Sequence, residues 1–330
     1  MDHADCLATR SRVHLRAGVW CLMVAGLIEG FSWVPALILP SAVGLPGSRP
    51  LAPAEAADLV VIGNSRSAAL DLEHLRMEYR RRLHREPVIV DLRLPAGDGL
   101  NHYSLFKRYG QQAARPPVGL IVFFSLEDVL DRVPTKPEGL RLRDAPEFLR
   151  LGMTIDELLN LVVAKANWLS ANKSQVNSLA MEWMLAALHG SSAQASHVAH
   201  DQPDWNERLK RHAYMAALGH VDRVKVNAMR RLIKGQATHG KVLVVVPPYH
   251  ADLAQPLEQS GSYQGFLGAV ASFQQLPDVT VVSDQFFRPA DKELFFDPTH
   301  LSEPGRAAFT DQLLRVYAEQ IMDRWNAERE

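Results

Sequence analysis

Short apolar, largely β-branched runs recur along the chain: LVVI at 59–62, VGLIVFF at 118–124, KVLVVV at 241–246 and VTVV at 279–282. A strand wetted on one face alternates apolar and polar residues. A run without alternation is buried on both faces, as a strand is inside a parallel sheet covered by helices on each side. PVIVDLRL at 87–94 supplies one more strand, and helical patterns follow several of these runs, with Leu70, Leu72 and Leu75 forming the first apolar stripe. Strands and helices alternating in this way predict an α/β domain over residues 58–330, a three-layer parallel sheet flanked by helices.

Residues 135–235 interrupt the rhythm. The stretches 154–169, 178–190 and 207–235 read as helices, the last in two pieces around Gly219, with Thr154 as an N-cap. This block is expected to be a helical insertion or cap over the sheet. The last helix should begin after Ser302 as N-cap, with Pro304 in its first turn.

Ahead of the domain, residues 17–39 carry one charge, Glu29, and follow Arg10, Arg12 and Arg16. An apolar stretch of about 20 residues is long enough to cross a bilayer, and arginines on its N-terminal side keep that side in the cytoplasm. The expected organisation is a cytoplasmic tail at 1–16, a transmembrane anchor at 17–39, a Pro/Gly/Ala-rich linker at 40–57 and the domain outside the cytoplasmic membrane. A cleaved signal with its core at 17–28 and a helix of a soluble protein are the competing readings. Both cysteines, Cys6 and Cys21, precede the domain, so it has neither a disulfide framework nor a thiolate metal site. A net charge of −1 lacks the basic footprint of a nucleic-acid protein, and no such partner is expected.

Ligands of open α/β sheets lie beyond the carboxyl ends of the strands. Three segments put reactive side chains there: GNSRS at 63–67, LPAGDGLNH at 94–102 and, in the loop read from Phe295 to the last helix, DPTHL at 297–301. A serine is a poor nucleophile without an adjacent base. Ser65 at a strand-to-helix turn, His300 as base and Asp297 three residues earlier as the group orienting the imidazole make a nucleophile–base–acid triad. Taken singly, Ser65 would suit a helix N-cap, Asp297–Pro298 simple turn chemistry and His300 a surface position; their co-occurrence favours catalysis. His250 after Pro-Pro-Tyr is a candidate for the pocket lining, Arg66 for a substrate contact or a salt bridge, and Ser125 sits at the end of the third strand. His197, His200, Asp201 and Asp204 have metal-like spacing, but a polar loop with incidental histidines accounts for them, and no metal or cofactor is expected.

GNSRS at 63–67 and FFDPTHLSEPGRAAF at 295–309 resemble the first and last blocks of the SGNH (GDSL-like) hydrolases, an α/β class with a flavodoxin-like sheet. The resemblance implies Ser65 as nucleophile, His300 as base and Asp297 as the third member. It also implies an oxyanion hole built from the Ser65 N–H, a glycine after the second strand (Gly97 or Gly99) and an asparagine after the third. The chain departs from the family twice. Asn64 replaces the usual aspartate, and FFSLEDVL at 123–130 offers Ser125, Glu127 and Asp128 where the family has Gly-x-Asn-Asp. The third donor is therefore either absent or supplied from elsewhere, as by Asn101. Loss of one such donor typically costs about 10²–10³ in rate.

These departures suit the membrane-anchored branch that resembles polysaccharide O-acetylation and D-alanyl-lipoteichoic-acid proteins. By that analogy the expected function is an envelope-facing O-acyl esterase or O-acyltransferase on a cell-surface carbohydrate polymer. Envelope polysaccharide-modifying membrane proteins would be its partners. A lipid or small-ester hydrolase is one alternative, and a non-catalytic binding or scaffold subunit of an exopolysaccharide assembly is the other.

Overall fold

The computed structural model describes residues 57–136, 140, 144–171 and 204–322. Residues 17–39, the helix expected at 178–190 and the His197/His200 pair lie outside them. Among the described residues no helix is long and apolar enough to cross a membrane, and no cluster of three or more His, Cys, Asp or Glu side chains is placed to hold a metal ion.

Five strands, β1 (Leu59–Gly63), β2 (Ile89–Arg93), β3 (Gly119–Phe123), β4 (Lys241–Val245) and β5 (Val279–Val282), form one sheet in the order β2-β1-β3-β4-β5. All four pairings are parallel. β1 and β3 are buried at every residue, as unalternating apolar runs require. The order reverses at β1, between β2 and β3, and the carboxyl edge there is where such sheets bind ligands.

Side chains alternate across a strand, which separates two apolar layers. Leu59, Val61, Ile121, Phe123, Leu243 and Val245 share one core cluster with Leu75 and Tyr79 of α1 (Leu72–Leu83) and Phe309, Leu313 and Leu314 of α9 (Glu303–Met322). The intervening residues Val60, Ile62, Leu120, Val122, Val242 and Val244 point to the other face and are also buried. That face is covered by α2 (Gly99–Gln112), α6 (Arg223–Ala237) and α8 (Gly261–Phe273).

The helical block divides. Among the described residues, 140 and 144–171 fall in one compact unit, and 57–136 with 204–322 in the other. In the first, α3 (Ala145–Arg150) packs against α4 (Ile155–Ala171), which opens on the expected cap: Thr154 Oγ accepts from Glu157 N–H, and Glu157 Oε2 accepts from Thr154 N–H. In the second, α5 (Trp205–Leu218) and α6 are separated at Gly219, as expected. α6 is not part of a cap. It belongs to the layer against the sheet, packing on α2 and β4. α7 (Ala251–Glu258) and α8, which follow β4, had no clear signature in the sequence.

Two features at the carboxyl edge of β1 prepare the site. A Cβ at Gly63 would lie 2.7 Å from both the Phe123 and Ser67 Cβ atoms, and its φ is +156°, so only glycine lets the chain leave the strand here. A 3-10 helix, Ser65–Ala69, precedes α1 and has Asn64, not Ser65, as its N-cap. Asp71 caps α1.

Candidate active site

Ser65 and the segment 295–301 come from opposite ends of the chain and meet at this edge. The segment read as a loop is a small hairpin: β6 (Phe295–Asp297) and β7 (His300–Leu301) are antiparallel, with Asp297 opposite His300 and Pro298–Thr299 as the turn. Residues paired across such a ladder project from one face, so the turn itself brings carboxylate and imidazole together. His300 Nδ1 lies 3.0 and 2.9 Å from the two Asp297 oxygens. On its far side His300 Nε2 is 2.9 Å from Ser65 Oγ. Ser65 is partly exposed and the His300 side chain is 31 % exposed, whereas Asp297 is 3 % exposed.

Asp297 Oδ1 also accepts from Thr299 N–H, Thr299 Oγ–H and His300 N–H, at 2.8, 2.8 and 2.9 Å. Burial opposes its charge, but the hydrogen bond and charge of His300 and the two donors of Thr299 outweigh burial. The carboxyl is held well below the ordinary aspartate range. It is a fixed negative charge beside the imidazole at any pH near neutrality.

Asn64 shows why an amide stands at this position. Its Oδ1 accepts from Arg66 N–H at 2.9 Å, and its Nδ2 donates to Ser125 Oγ at 2.8 Å and Asp128 Oδ1 at 3.0 Å. The position needs an acceptor and a donor at once, which an ionised carboxylate does not offer. Asp128 accepts in addition from Ser125 N–H and from His102 Nε2 at 3.0 Å, all fully buried. Asn64→Asp would set two carboxylates against each other in this enclosure. It is expected to cost about 2 kcal/mol at pH 7, and the cost should shrink as pH falls and one carboxyl takes a proton. Urea unfolding at pH 7 and pH 5 measures both.

The remaining residues proposed from sequence take other places. Ser125 is 1 % exposed and serves that buried network. Arg66 is 3 % exposed and turned inward. It ion-pairs with Glu127 at 3.1 Å, donates to the carbonyls of Thr299 and Pro248 at 3.2 and 2.8 Å, and stacks 3.6 Å from the Tyr249 ring centroid. It braces the ends of three segments and offers no free donor for a substrate. His250 is buried as the N-cap of α7. Its Nδ1 accepts from Asp252 N–H, and its ring packs edge-on against Trp205 and Phe295.

Two of the expected oxyanion donors, Gly97 and Asn101, are also engaged. Gly97 N–H bonds the Leu94 carbonyl at 2.8 Å. The Asn101 side chain is buried, donating to the Lys136 carbonyl and accepting from the N–H groups of Asp98 and Lys136. Gly99 opens α2 at a close crossing with α6, where a Cβ would come within 2.8 Å of the Lys225 carbonyl. That loop is a structural joint, held also by the buried ion pair of Lys225 with Asp98 at 3.0 Å. Among the described residues, no hydrogen bond engages the backbone N–H of Ser65.

Arg208, on α5, went unnoticed in the sequence. Its guanidinium ion-pairs with Asp297 Oδ2. One turn on, His212 approaches Glu127 at 3.5 Å.

No family model and no curated protein matches this sequence. A solved structure described as an alpha/beta hydrolase enzyme from the metagenome of Lake Arreo, Spain, is 13 % identical, with 79 % of this chain and 95 % of that chain covered and a TM-score of 0.34. A likeness so distant carries no argument about this site.

Proposed function

We propose that this chain is a serine acyl-transfer enzyme of the SGNH type, with Ser65 as nucleophile, His300 as general base and Asp297 as the group that orients the imidazole and stabilises its charged form. The observation that carries the reading is the relay Ser65 Oγ–His300–Asp297, in which Nε2 of the imidazole lies 2.9 Å from Ser65 Oγ and Nδ1 lies 2.9–3.0 Å from the Asp297 carboxylate. Asn64 already holds the helix cap, so capping leaves the pairing of Ser65 with His300 unexplained.

In the proposed reaction Ser65 Oγ attacks an ester carbonyl carbon while its proton passes to His300 Nε2. The tetrahedral oxyanion accepts from the Ser65 N–H. Its collapse breaks the bond to the alcohol oxygen, which takes the proton from His300. A second hydroxyl then attacks the acyl-enzyme by the same proton path, water releasing the acid and a sugar hydroxyl forming a new ester. No cofactor enters. With Gly97 and Asn101 otherwise engaged, the oxyanion hole is lean, which favours a slow, acceptor-directed enzyme over a fast general esterase.

The substrate class in this proposal is an O-acyl ester on a cell-surface carbohydrate polymer. The apolar segment at 17–39 and the arginines before it support a domain anchored outside the cytoplasmic membrane, working beside envelope polysaccharide-modifying membrane proteins. The engaged oxyanion donors favour one other reading, a scaffold subunit on the same fold.

Fluorophosphonate labelling of the purified full-length chain decides between them. The wild type is expected to label at one site, and His300→Ala to label at least about 100-fold more slowly, since the serine then lacks its base. A folded wild type that does not label sinks the enzyme and leaves the scaffold. For a labelling enzyme, the products of an acylated oligosaccharide separate the two activities. Free acid alone marks a hydrolase, and an acylated acceptor marks a transferase.

A further inference from the structure

We propose that Arg208 is a fourth member of this site, a positioning residue that pins the outer oxygen of Asp297 and so fixes the imidazole of His300 in line with Ser65. The proposal rests on the serine-triad reading above.

The two oxygens of Asp297 are held unequally. Oδ1 is fixed from within the hairpin by Thr299 and His300. Oδ2 has His300 Nδ1 and, from outside the hairpin, Arg208. Without Arg208, Oδ2 would keep only the imidazole itself as partner, so carboxylate and ring could shift together about Oδ1 and the ring would meet Ser65 less reliably. Exposed ion pairs are worth little. Here, however, the carboxylate is 3 % exposed and the arginine side chain 23 % exposed, so solvent does little to screen the contact.

The placement of Arg208 is itself braced. Its guanidinium carbon lies 5.7 Å from the centroid of the Phe296 ring, within cation–π reach. His212 lies four residues on, on the same side of α5, and meets Glu127, which pairs with Arg66, which in turn donates to the Thr299 carbonyl. α5 thus grips the hairpin twice, directly at Asp297 and through three side chains at Thr299.

The test is the rate of fluorophosphonate inactivation of the full-length chain at fixed pH, with Ser65→Ala as the control for labelling at this serine. Arg208→Gln is expected to lower the rate by about 10-fold through the loosened imidazole. Arg208→Lys keeps the charge but not the planar fork, so it should recover part of the loss and stay several-fold below wild type. An Arg208→Gln rate that matches wild type overturns the proposal. Should that variant fail to fold in a thermal melt, Arg208→Lys decides, and an unchanged rate overturns it. Absence of labelling in the wild type is a different failure, since it removes the triad reading itself.

Discussion

Ser65→Ala is expected to lower turnover of an activated ester such as p-nitrophenyl acetate by about 10⁴–10⁶-fold, the range seen when a triad loses its nucleophile. The protein itself should scarcely notice. The Ser65 hydroxyl makes one hydrogen bond, to a part-exposed histidine, and such a bond contributes about 1 kcal/mol, a few degrees of melting temperature at most. A large kinetic loss with a nearly unchanged melt separates catalytic from structural serines. Retention of more than a tenth of the wild-type rate would show that another group does the chemistry.

Arg66→Met should behave in the opposite sense, removing stability first and activity as a consequence. The guanidinium is 3 % exposed and joins Glu127, the Thr299 and Pro248 carbonyls and the Tyr249 ring. Breaking a buried pair from one side costs about 3–5 kcal/mol because the partner charge stays behind, and two carbonyls lose a donor besides. A drop in melting temperature on the order of 10 °C follows for a domain of this size. Arg66→Lys should recover little, since one ammonium does not reach in all these directions.

The same pair shapes the acid response. Burial disfavours the Glu127 charge, but Arg66 and His212 outweigh it and hold the carboxyl below its ordinary range. The folded value is the lower one. The contribution is therefore complete above the unfolded carboxyl's value of about 4.3 and is lost as pH falls below it. In Arg66→Met most of that acid-labile stability should already be missing, so its melting temperature should fall less steeply below pH 4 than that of the wild type. An equal slope in both proteins would show that the pair is not what acid breaks.

Much of the fold was legible because burial writes itself into sequence locally. Runs such as Leu59–Gly63 and Lys241–Val245 admit one environment, a strand covered on both sides, and the structure puts them there. The caps at Thr154 and Ser302 were legible for a similar reason, since a cap spans only three or four residues. The hairpin at 295–301 was read as a loop because strands of three and two residues carry no periodicity. α6 was assigned to a cap because the sequence shows its apolar stripe but not which surface receives it.

For the site, the sequence by itself named Ser65, Asp297 and His300, their order along the chain and the edge of the sheet at which the structure brings them together. The spacing of Asp297 and His300 and the turn after β1 are local facts. Tertiary structure alone decided which neighbours are spent elsewhere. Arg66, beside Ser65 in sequence, turns inward. Asn101, Ser125 and His250 are consumed by partners on other segments. Arg208, 89 residues from Asp297, enters the site because α5 docks where it does. The physical reason is the same in each case. Backbone conformation and burial are set by a few adjacent residues, whereas the partner of a charged or hydrogen-bonding side chain is chosen by whichever distant segment packing brings within about 3 Å.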